Sequence, residues 1–191
     1  MIFSGSPIYI ILILIFSFTI ISCAKKSDTS STSTTSSPSH VVVGSKGTIL
    51  TSTDGTTWTS KTSGTTEDLS GVTYGNSTFV TVGYLGTILT STDGTTWTSR
   101  SNVTSVPLHE VTYGNSTFVI VGYRYIFTSP DGTTWTSRTS ATSEIVGKVT
   151  YGNSIFVIVG DSGTILTSTD GISWTSRTSG TTERLNGVTS R

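Results

Sequence analysis

From residue 40 onward, short runs of β-branched and aromatic residues alternate with turns that contain glycine, asparagine or aspartate. Runs of this kind predict β-strands. One unit of the pattern predicts strands over residues 69–74, 78–83, 87–91 and 95–100. The turn Gly75-Asn76 between the first two runs tolerates positive φ and therefore predicts a tight hairpin. Because no segment shows helical periodicity, we expect almost no helix after residue 23.

The unit of four strands is repeated along the chain. The four tryptophans, Trp58, Trp97, Trp135 and Trp174, lie 39, 38 and 39 residues apart. The sequence Val-Thr-Tyr-Gly-Asn-Ser begins at Val72, Val111 and Val149. A period near 40 residues with four antiparallel strands in each unit is typical of a β-propeller blade. The pattern therefore predicts an all-β fold.

The segment Ser52-Thr53-Asp54-Gly55-Thr56-Thr57-Trp58 and its three copies resemble the Asp-box, or BNR, repeat, with one residue fewer between the aspartate and the glycine. This shortened form is similar to the repeats of propellers related to photosystem II assembly factors, which also occur in bacterial lipoproteins. The resemblance covers residues 40–191 and implies a β-propeller of four-stranded antiparallel blades.

The residues of the box have a structural interpretation. An aspartate in a turn accepts hydrogen bonds from nearby backbone N–H groups, and a tryptophan supplies a large apolar plate for packing. In Asp-box enzymes such as sialidases, the boxes lie away from the active site, which implies a structural role here as well. The structural residues predicted in this way are Asp54, Trp58, Asp93, Trp97, Asp131, Trp135, Asp170 and Trp174.

The two ends of the repeat array complement each other in sequence. Residues 40–44 align with a second strand and have no first strand before them, whereas residues 185–189 align with the first strand at 69–73. Pairing of the two segments would complete four blades and close a ring without exposed edges. The alternative is an open or partial propeller.

The first 22 residues have the character of a signal peptide, because residues 8–22 are apolar or hydroxylic and too few to span a bilayer. Ile20-Ile21-Ser22-Cys23 resembles the lipobox of bacterial lipoproteins, which implies that Cys23, the single cysteine, carries a lipid. The alternative is an uncleaved N-terminal anchor. Residues 23–39 are rich in serine and threonine and predict a flexible tether to a propeller over 40–191. The expected location is the periplasmic side of a membrane or the cell surface.

Composition excludes several functions. The 11 basic and 11 acidic residues balance, so no large basic face is available for nucleic acid. The two histidines, His40 and His109, show no ligand spacing, so we expect no metal. We also expect no cofactor and no catalytic residues, because the arginine cluster, tyrosine and acidic proton donor of a sialidase are missing from the repeats.

The positions at which the repeats differ are the candidate binding residues, because loops on a rigid scaffold usually carry binding. These positions lie in the loops between second and third strands and at the starts of the first strands. They are Lys46, Tyr84, His109, Glu110, Tyr123, Arg124, Lys148 and Asp161. Neutral drift among duplicated blades explains the differences equally well. We expect a non-enzymatic binding or scaffold lipoprotein with a protein or glycan ligand and leave the oligomeric state open; the alternative is a glycan-binding or glycosidase-like Asp-box protein.

Overall fold

The computed structural model describes residues 37–191. The predicted signal peptide, the lipidation site Cys23 and most of the predicted tether lie outside the described residues. Within them, the only helical elements are three short 3-10 turns at Ser45–Gly47, Tyr84–Gly86 and Asp161–Gly163. No helix in this part of the chain is long and apolar enough to cross a membrane.

The strands form four antiparallel sheets in chain order, which we call blades one to four. Blade one has three strands, β1 (His40–Gly44), β2 (Thr48–Ser52) and β3 (Thr59–Lys61). Blade two consists of β4 (Leu69–Gly75), β5 (Thr78–Gly83), β6 (Ile88–Ser91) and β7 (Thr98–Ser99). Blade three consists of β8 (Glu110–Gly114), β9 (Thr117–Gly122), β10 (Tyr125–Ser129) and β11 (Thr136–Arg138). Blade four consists of β12 (Val146–Gly152), β13 (Ile155–Gly160), β14 (Ile165–Ser168) and β15 (Thr175–Arg177).

The all-β class with four-stranded antiparallel blades is confirmed. The strand bounds differ from the prediction mainly in the fourth strand of blade two, which covers Thr98–Ser99 rather than 95–100. The reason is that the turn around Asp93 occupies the backbone as far as Trp97, so pairing with β6 begins only at Thr98.

The hairpin between first and second strands turns one residue later than predicted. Asn76 and Ser77 have positive φ values of 44° and 57°, whereas Gly75 belongs to β4. Gly75 is needed for a different reason: a Cβ atom there would overlap the ring of Tyr113 on the next blade. Gly114 lies under Tyr151 in the same way. Each glycine therefore allows the tyrosine of the following blade to pack against the strand.

The hydrophobic core lies between neighbouring blades. One cluster joins Val80 and Ile88 of blade two to Leu108 and Phe118 around blade three. A second cluster joins blades three and four, and a third joins Ile49 of blade one to blade two. Because the apolar side chains of one blade are covered by the next blade, the repeats depend on each other for burial.

The predicted closure of the ring is wrong for the described residues. Residues 185–189 form no strand with β1, whose single partner in this part of the chain is β2. The Leu185 N–H donates instead to the Gly160 carbonyl at 2.9 Å, and the Ser190 hydroxyl to the Tyr151 carbonyl at 2.9 Å. The segment contacts blade four in the way that equivalent residues contact the blade before them: the Leu108 N–H donates to the Gly83 carbonyl of blade two.

Candidate binding site

The turns between third and fourth strands, which we call the aspartate turns, have the same geometry in all four blades. In blade two, Asp93 Oδ1 accepts hydrogen bonds from the N–H groups of Thr95 at 2.8 Å and Thr96 at 2.7 Å. It also accepts the Ser91 hydroxyl at 2.9 Å, and the Ser91 Oγ accepts the Gly94 N–H at 2.8 Å. The backbone N–H groups hold the pKa of Asp93 well below its ordinary value. The same cause lowers the pKa of Asp54, Asp131 and Asp170.

The tryptophans of these turns pack inside their own blades and against the clusters between blades. Trp97 Nε1 donates to the Gly94 carbonyl at 3.2 Å, and its ring lies 6.3 Å from that of Phe79. Trp97 and Trp135 also contact apolar clusters shared with a neighbouring blade. In blade one, Trp58 packs edge-on against His40 at 6.3 Å instead of a phenylalanine. One carboxylate oxygen of each aspartate, and the indole N–H of Trp97, Trp135 and Trp174, are thus engaged in hydrogen bonds within the turn.

The loops between second and third strands are held by the connecting segments that precede or follow their blade. Tyr84 N–H donates to the Asp68 carbonyl, Val146 N–H to the Tyr123 carbonyl and Asp161 N–H to the Ile145 carbonyl. Lys46 N–H donates to the Asp68 carboxylate at 2.8 Å. The side chains of Tyr84 and Tyr123 are exposed, and the Arg124 guanidinium lies 5.6 Å from the centre of the Tyr123 ring. The backbones of these loops are therefore held by hydrogen bonds, while the Tyr84 and Tyr123 side chains are exposed.

A second group of candidate residues meets at a cavity of about 290 Å³ between the first strands. It is lined by equivalent residues of successive repeats, Ser70, His109, Gly147 with Lys148, and Asn186, together with Arg184 and Leu185. The pairing register shifts between Leu69 and Gly71 and again between Val146 and Lys148. A β-bulge of this kind re-aims one side chain out of the ladder. The bulge residues Ser70 and Gly147, and their repeat equivalents His109 and Asn186, thus line this cavity.

Two ion pairs connect neighbouring repeats at the cavity. Lys148 Nζ lies 3.0 Å from Glu110 Oε2, and Arg184 Nε lies 3.1 Å from Asp161 Oδ1. The Lys148 and Arg184 side chains are 42% and 59% exposed, so both cations reach solvent as well. The second contact is electrostatic rather than a directed hydrogen bond, because the buried Asp161 Oδ1 has no aligned donor among the described residues. Arg184 consequently keeps most of its hydrogen-bonding capacity.

His109 lies beside these cations and is half-buried. Burial lowers the pKa of its imidazole below the ordinary value of 6.5, and the positive charges of Arg184 and Lys148 lower it further. The Val146 backbone and the charge of Asp161 act in the opposite direction. These effects together favour the neutral form of His109, which has one N–H donor and one acceptor nitrogen.

No protein-family model and no curated protein matches the sequence. Solved structures do match. YCF48 bound to D1 peptide has a TM-score of 0.56 and 19% identity, with 71% of this chain and 48% of that chain covered. YCF48 from Cyanidioschyzon merolae has a TM-score of 0.55 and 19% identity, with 71% of this chain and 51% of that one covered.

The fold is a β-propeller. A GH74 enzyme from Niastella koreensis also matches, with a TM-score of 0.45 and 19% identity over 72% of this chain and 23% of that chain. The present chain spans about half the length of the YCF48 chains, as the 48% and 51% coverage shows. At 19% identity, the YCF48 structures establish the architecture alone.

The propeller brings only part of the predicted binding face together. His109 and Lys148 line the cavity, and Glu110 and Asp161 form the ion pairs beside it. The other four candidates, Lys46, Tyr84, Tyr123 and Arg124, do not line it. Sequence reasoning missed Arg184. The equivalent residues of the other repeats are Asp68, Pro107 and Ile145, so Arg184 is the only cation at this repeat position. That difference could have identified it as a candidate.

Other cavities of the propeller have fewer ionisable side chains in their lining. One of them, of about 730 Å³, is lined by serine, threonine and glycine, with Arg177 as its single charged residue. Within residues 37–191, no group of three histidine, cysteine, aspartate or glutamate side chains is placed to hold a metal ion. The cavity at His109 is therefore the site at which charged and hydrogen-bonding groups converge. Such a site can bind a ligand that carries hydrogen-bond acceptors and negative charge.

Proposed function

We propose that this protein is a non-enzymatic, membrane-anchored lipoprotein whose propeller binds an acidic peptide segment of another protein. The observation that carries the proposal is the cavity at His109, where Lys148 and Arg184 project from successive repeats onto one surface. Cys23 would carry the lipid, and the serine- and threonine-rich segment after it would hold the propeller away from the membrane.

The balance of donors and acceptors favours a negatively charged ligand. Glu110 already accepts from Lys148 and from the Val111 N–H, and the Asp161 oxygen nearest Arg184 is buried. Lys148 has three N–H donors and uses one, and Arg184 makes no directed hydrogen bond within residues 37–191. The surplus of donors suits a carboxylate, which accepts hydrogen bonds from arginine in bidentate geometry.

A peptide is the preferred ligand class for two reasons. The lining residues lie in the first strands of blades two and four or in the equivalent segments of the other repeats, so polar groups of successive repeats are available to one extended chain. The YCF48 structure with a bound D1 peptide supports the same class, because it has the same type of fold. The exposed Tyr84 and Tyr123 also suit the alternative of a glycan ligand, since aromatic faces stack on sugar rings.

Fluorescence polarisation with the full-length protein tests the proposal. The probe is a set of labelled extended peptides containing glutamate, and the reference set has glutamine at the same positions. We expect binding of the glutamate set only, weakening as salt is raised. Lys148→Gln and Arg184→Gln should each reduce affinity by about ten-fold, equivalent to the roughly 1.4 kcal/mol of one charge-assisted hydrogen bond.

The matched control is Lys61→Gln, because Lys61 lies on the outer strand β3 away from the cavity and should leave affinity unchanged. Equal binding of both peptide sets, or equal losses in all three variants, would contradict the proposal. Binding on a glycan array without peptide binding would favour the glycan alternative. Turnover in sialidase or glycosidase assays would contradict the non-enzymatic assignment.

A further inference from the structure

Blade one differs from the other blades at its inner edge. Blades two, three and four each begin with a first strand, β4, β8 or β12, that pairs with the second strand. In blade one, the second strand β1 pairs on one side with β2 and has no strand on the other side among the described residues. Unpaired strand edges of this kind accept further strands.

Apolar residues beside this edge are exposed. Val42 is 44% exposed, whereas its repeat equivalents Thr81, Ile120 and Ile158 are fully buried, the last two in clusters shared with the preceding blade. A cavity of about 300 Å³ lies beside Val42 and is bordered by His40, Trp58 and Tyr74. Tyr74 is 57% exposed because blade one, as far as the structure describes the chain, has no first strand whose glycine it could cover, as Tyr113 covers Gly75. We call this surface, β1 together with Trp58 and Tyr74, the blade-one groove.

Residues 185–190 have the sequence and position of a first strand. They lie on blade four in the way that β8 lies on blade two: Leu185 N–H bonds to the Gly160 carbonyl, and Ser190 packs on Gly152 where Tyr151 packs on Gly114. No second strand pairs with them within the described residues. Within residues 37–191, the segment 185–190 is thus a first strand without a paired second strand, and β1 is a second strand without a paired first strand.

We propose that the blade-one groove binds residues 185–190 of a second copy of this chain, which add to β1 as its antiparallel first strand. The proposal goes beyond the peptide-binding function and involves a different surface. Its register follows from the other blades, in which Thr73 pairs with Val80 and Val72 with Thr81. The same register pairs Thr189 with Val41 and Val188 with Val42.

One pair of residues identifies this segment as the occupant. In blades two, three and four, the next-to-last pair of the two strands is a tyrosine against a phenylalanine: Tyr74–Phe79, Tyr113–Phe118 and Tyr151–Phe156, with ring centres 4.5 to 4.6 Å apart. The corresponding residues here are Ser190 and His40. Both members of this pair are polar, and a hydroxyl can hydrogen-bond to an imidazole. The two departures from the repeat therefore compensate each other.

The contact joins two copies rather than two ends of one chain. In the structure, residues 185–190 remain on blade four of their own chain, and β1 lies on blade one, which packs against blade two. Strand addition to a second copy keeps both sets of contacts. Head-to-tail contacts of this type close when the rotation between copies allows it, and a reciprocal contact then completes a pair.

Arg191 gives the proposal a directional test. It follows Ser190 at the place where Gly75, Gly114 and Gly152 stand in the repeats. In blade two, a side chain at this place would overlap the ring of the next tyrosine. In the proposed contact, the Arg191 side chain overlaps the position of the Tyr74 ring, so the Tyr74 side chain has to move. Replacement Arg191→Gly should therefore strengthen the association.

The experiment measures the mass of full-length protein by sedimentation at increasing concentration. We expect the mass to double with concentration, and we expect Val42→Asp and Val188→Lys to remain monomeric with unchanged melting temperatures. An equimolar mixture of the two variants should recover the doubled mass, because the introduced carboxylate of one copy then faces the introduced ammonium group of the other. The control Ile172→Asp changes an equally exposed residue outside both surfaces and should associate like the wild type.

A cross-link supplies an independent readout. In a Cys23→Ala background, one protein with Val42→Cys and another with Val188→Cys should form a mixed disulfide on oxidation, since opposed strand residues have the required spacing. Ile172→Cys in place of Val42→Cys should not. A wild-type protein that stays monomeric, a doubled mass that persists in Val42→Asp and Val188→Lys, or a link between positions 42 and 188 within one chain would overturn the proposal.

Discussion

Replacement of Gly114 by alanine probes the contact on which blade stacking depends. Gly114 lies in β8 with ordinary strand geometry, and a Cβ atom there would overlap Cγ of Tyr151 on blade four. The obstacle is the part of the ring nearest the backbone, so a change of side-chain rotamer at Tyr151 cannot relieve it cheaply. Either Tyr151 leaves its position against Phe156 and the cluster between blades three and four, or the two blades separate.

Overpacking of this kind costs about 1–3 kcal/mol. For a protein of this size, 1 kcal/mol lowers the melting temperature by about 2–4 °C, so Gly114→Ala should lower it by roughly 2–12 °C. Thermal and urea unfolding of the full-length protein, followed by tryptophan fluorescence, measure the effect. The matched control is Gly147→Ala, because a Cβ atom on Gly147 meets its nearest neighbour, the Arg184 guanidinium, at 3.9 Å.

A double-mutant cycle with Tyr151→Ala isolates the contact. Once the ring is absent, the alanine at position 114 has room, so Gly114→Ala should cost almost nothing further in the Tyr151→Ala background. We expect a coupling free energy of about 1–3 kcal/mol, in the range found for residues in contact. An equal cost of Gly114→Ala in both backgrounds, or an unchanged melting temperature in the single variant, would refute the packing role of the pair.

Three further predictions concern the turns and the N-terminus. Asp93→Ala should lower the free energy of unfolding in urea by about 1–2 kcal/mol, because it leaves the Thr95 and Thr96 N–H groups without their acceptor. The peptide affinity of the folded variant should be unchanged, and lost affinity at unchanged stability would show a binding role. The pKa of Asp93 is lowered from 3.8, as are those of the other three aspartates of these turns, so the stabilisation that the four carboxylates supply is present above about pH 4 and is lost on acidification. The urea midpoint should therefore fall below that pH, and a midpoint that does not change with pH would contradict this. Cys23→Ala should release the protein from the membrane fraction and abolish fatty-acid labelling, and unchanged partitioning with retained label would disprove lipidation.

The repeat made much of the fold predictable from sequence. The tryptophan spacing and the Val-Thr-Tyr-Gly-Asn-Ser segments placed the strands of each blade within a few residues, because every unit carries the same turn residues. The role of Gly75 could not be read in the same way. A glycine beside Asn76 suggests a turn residue, whereas its actual use is to leave space for Tyr113, a residue almost one full repeat away.

The binding cavity was only partly predictable. Aligning the repeats places Glu110 and Lys148 at the same position of adjacent units, and the structure pairs them at 3.0 Å. Arg184 was not predicted because it lies in the connecting segment just before Leu185, outside the loops and strand starts that the differences between repeats indicate. The predicted closure of the ring is not found, because residues 185–189 match a first strand in sequence but lie on blade four, where the Leu185 N–H bonds to the Gly160 carbonyl.

The central claim is that Lys148 and Arg184 select an acidic peptide, and charge reversal tests it most directly. The measurement is the ratio of affinities for a glutamate-containing peptide and its lysine-containing counterpart, in the wild type and in the double variant Lys148→Glu, Arg184→Glu. We predict a preference for the glutamate peptide in the wild type and for the lysine peptide in the variant, at equal melting temperatures. A ratio that stays the same in a folded variant would contradict the account.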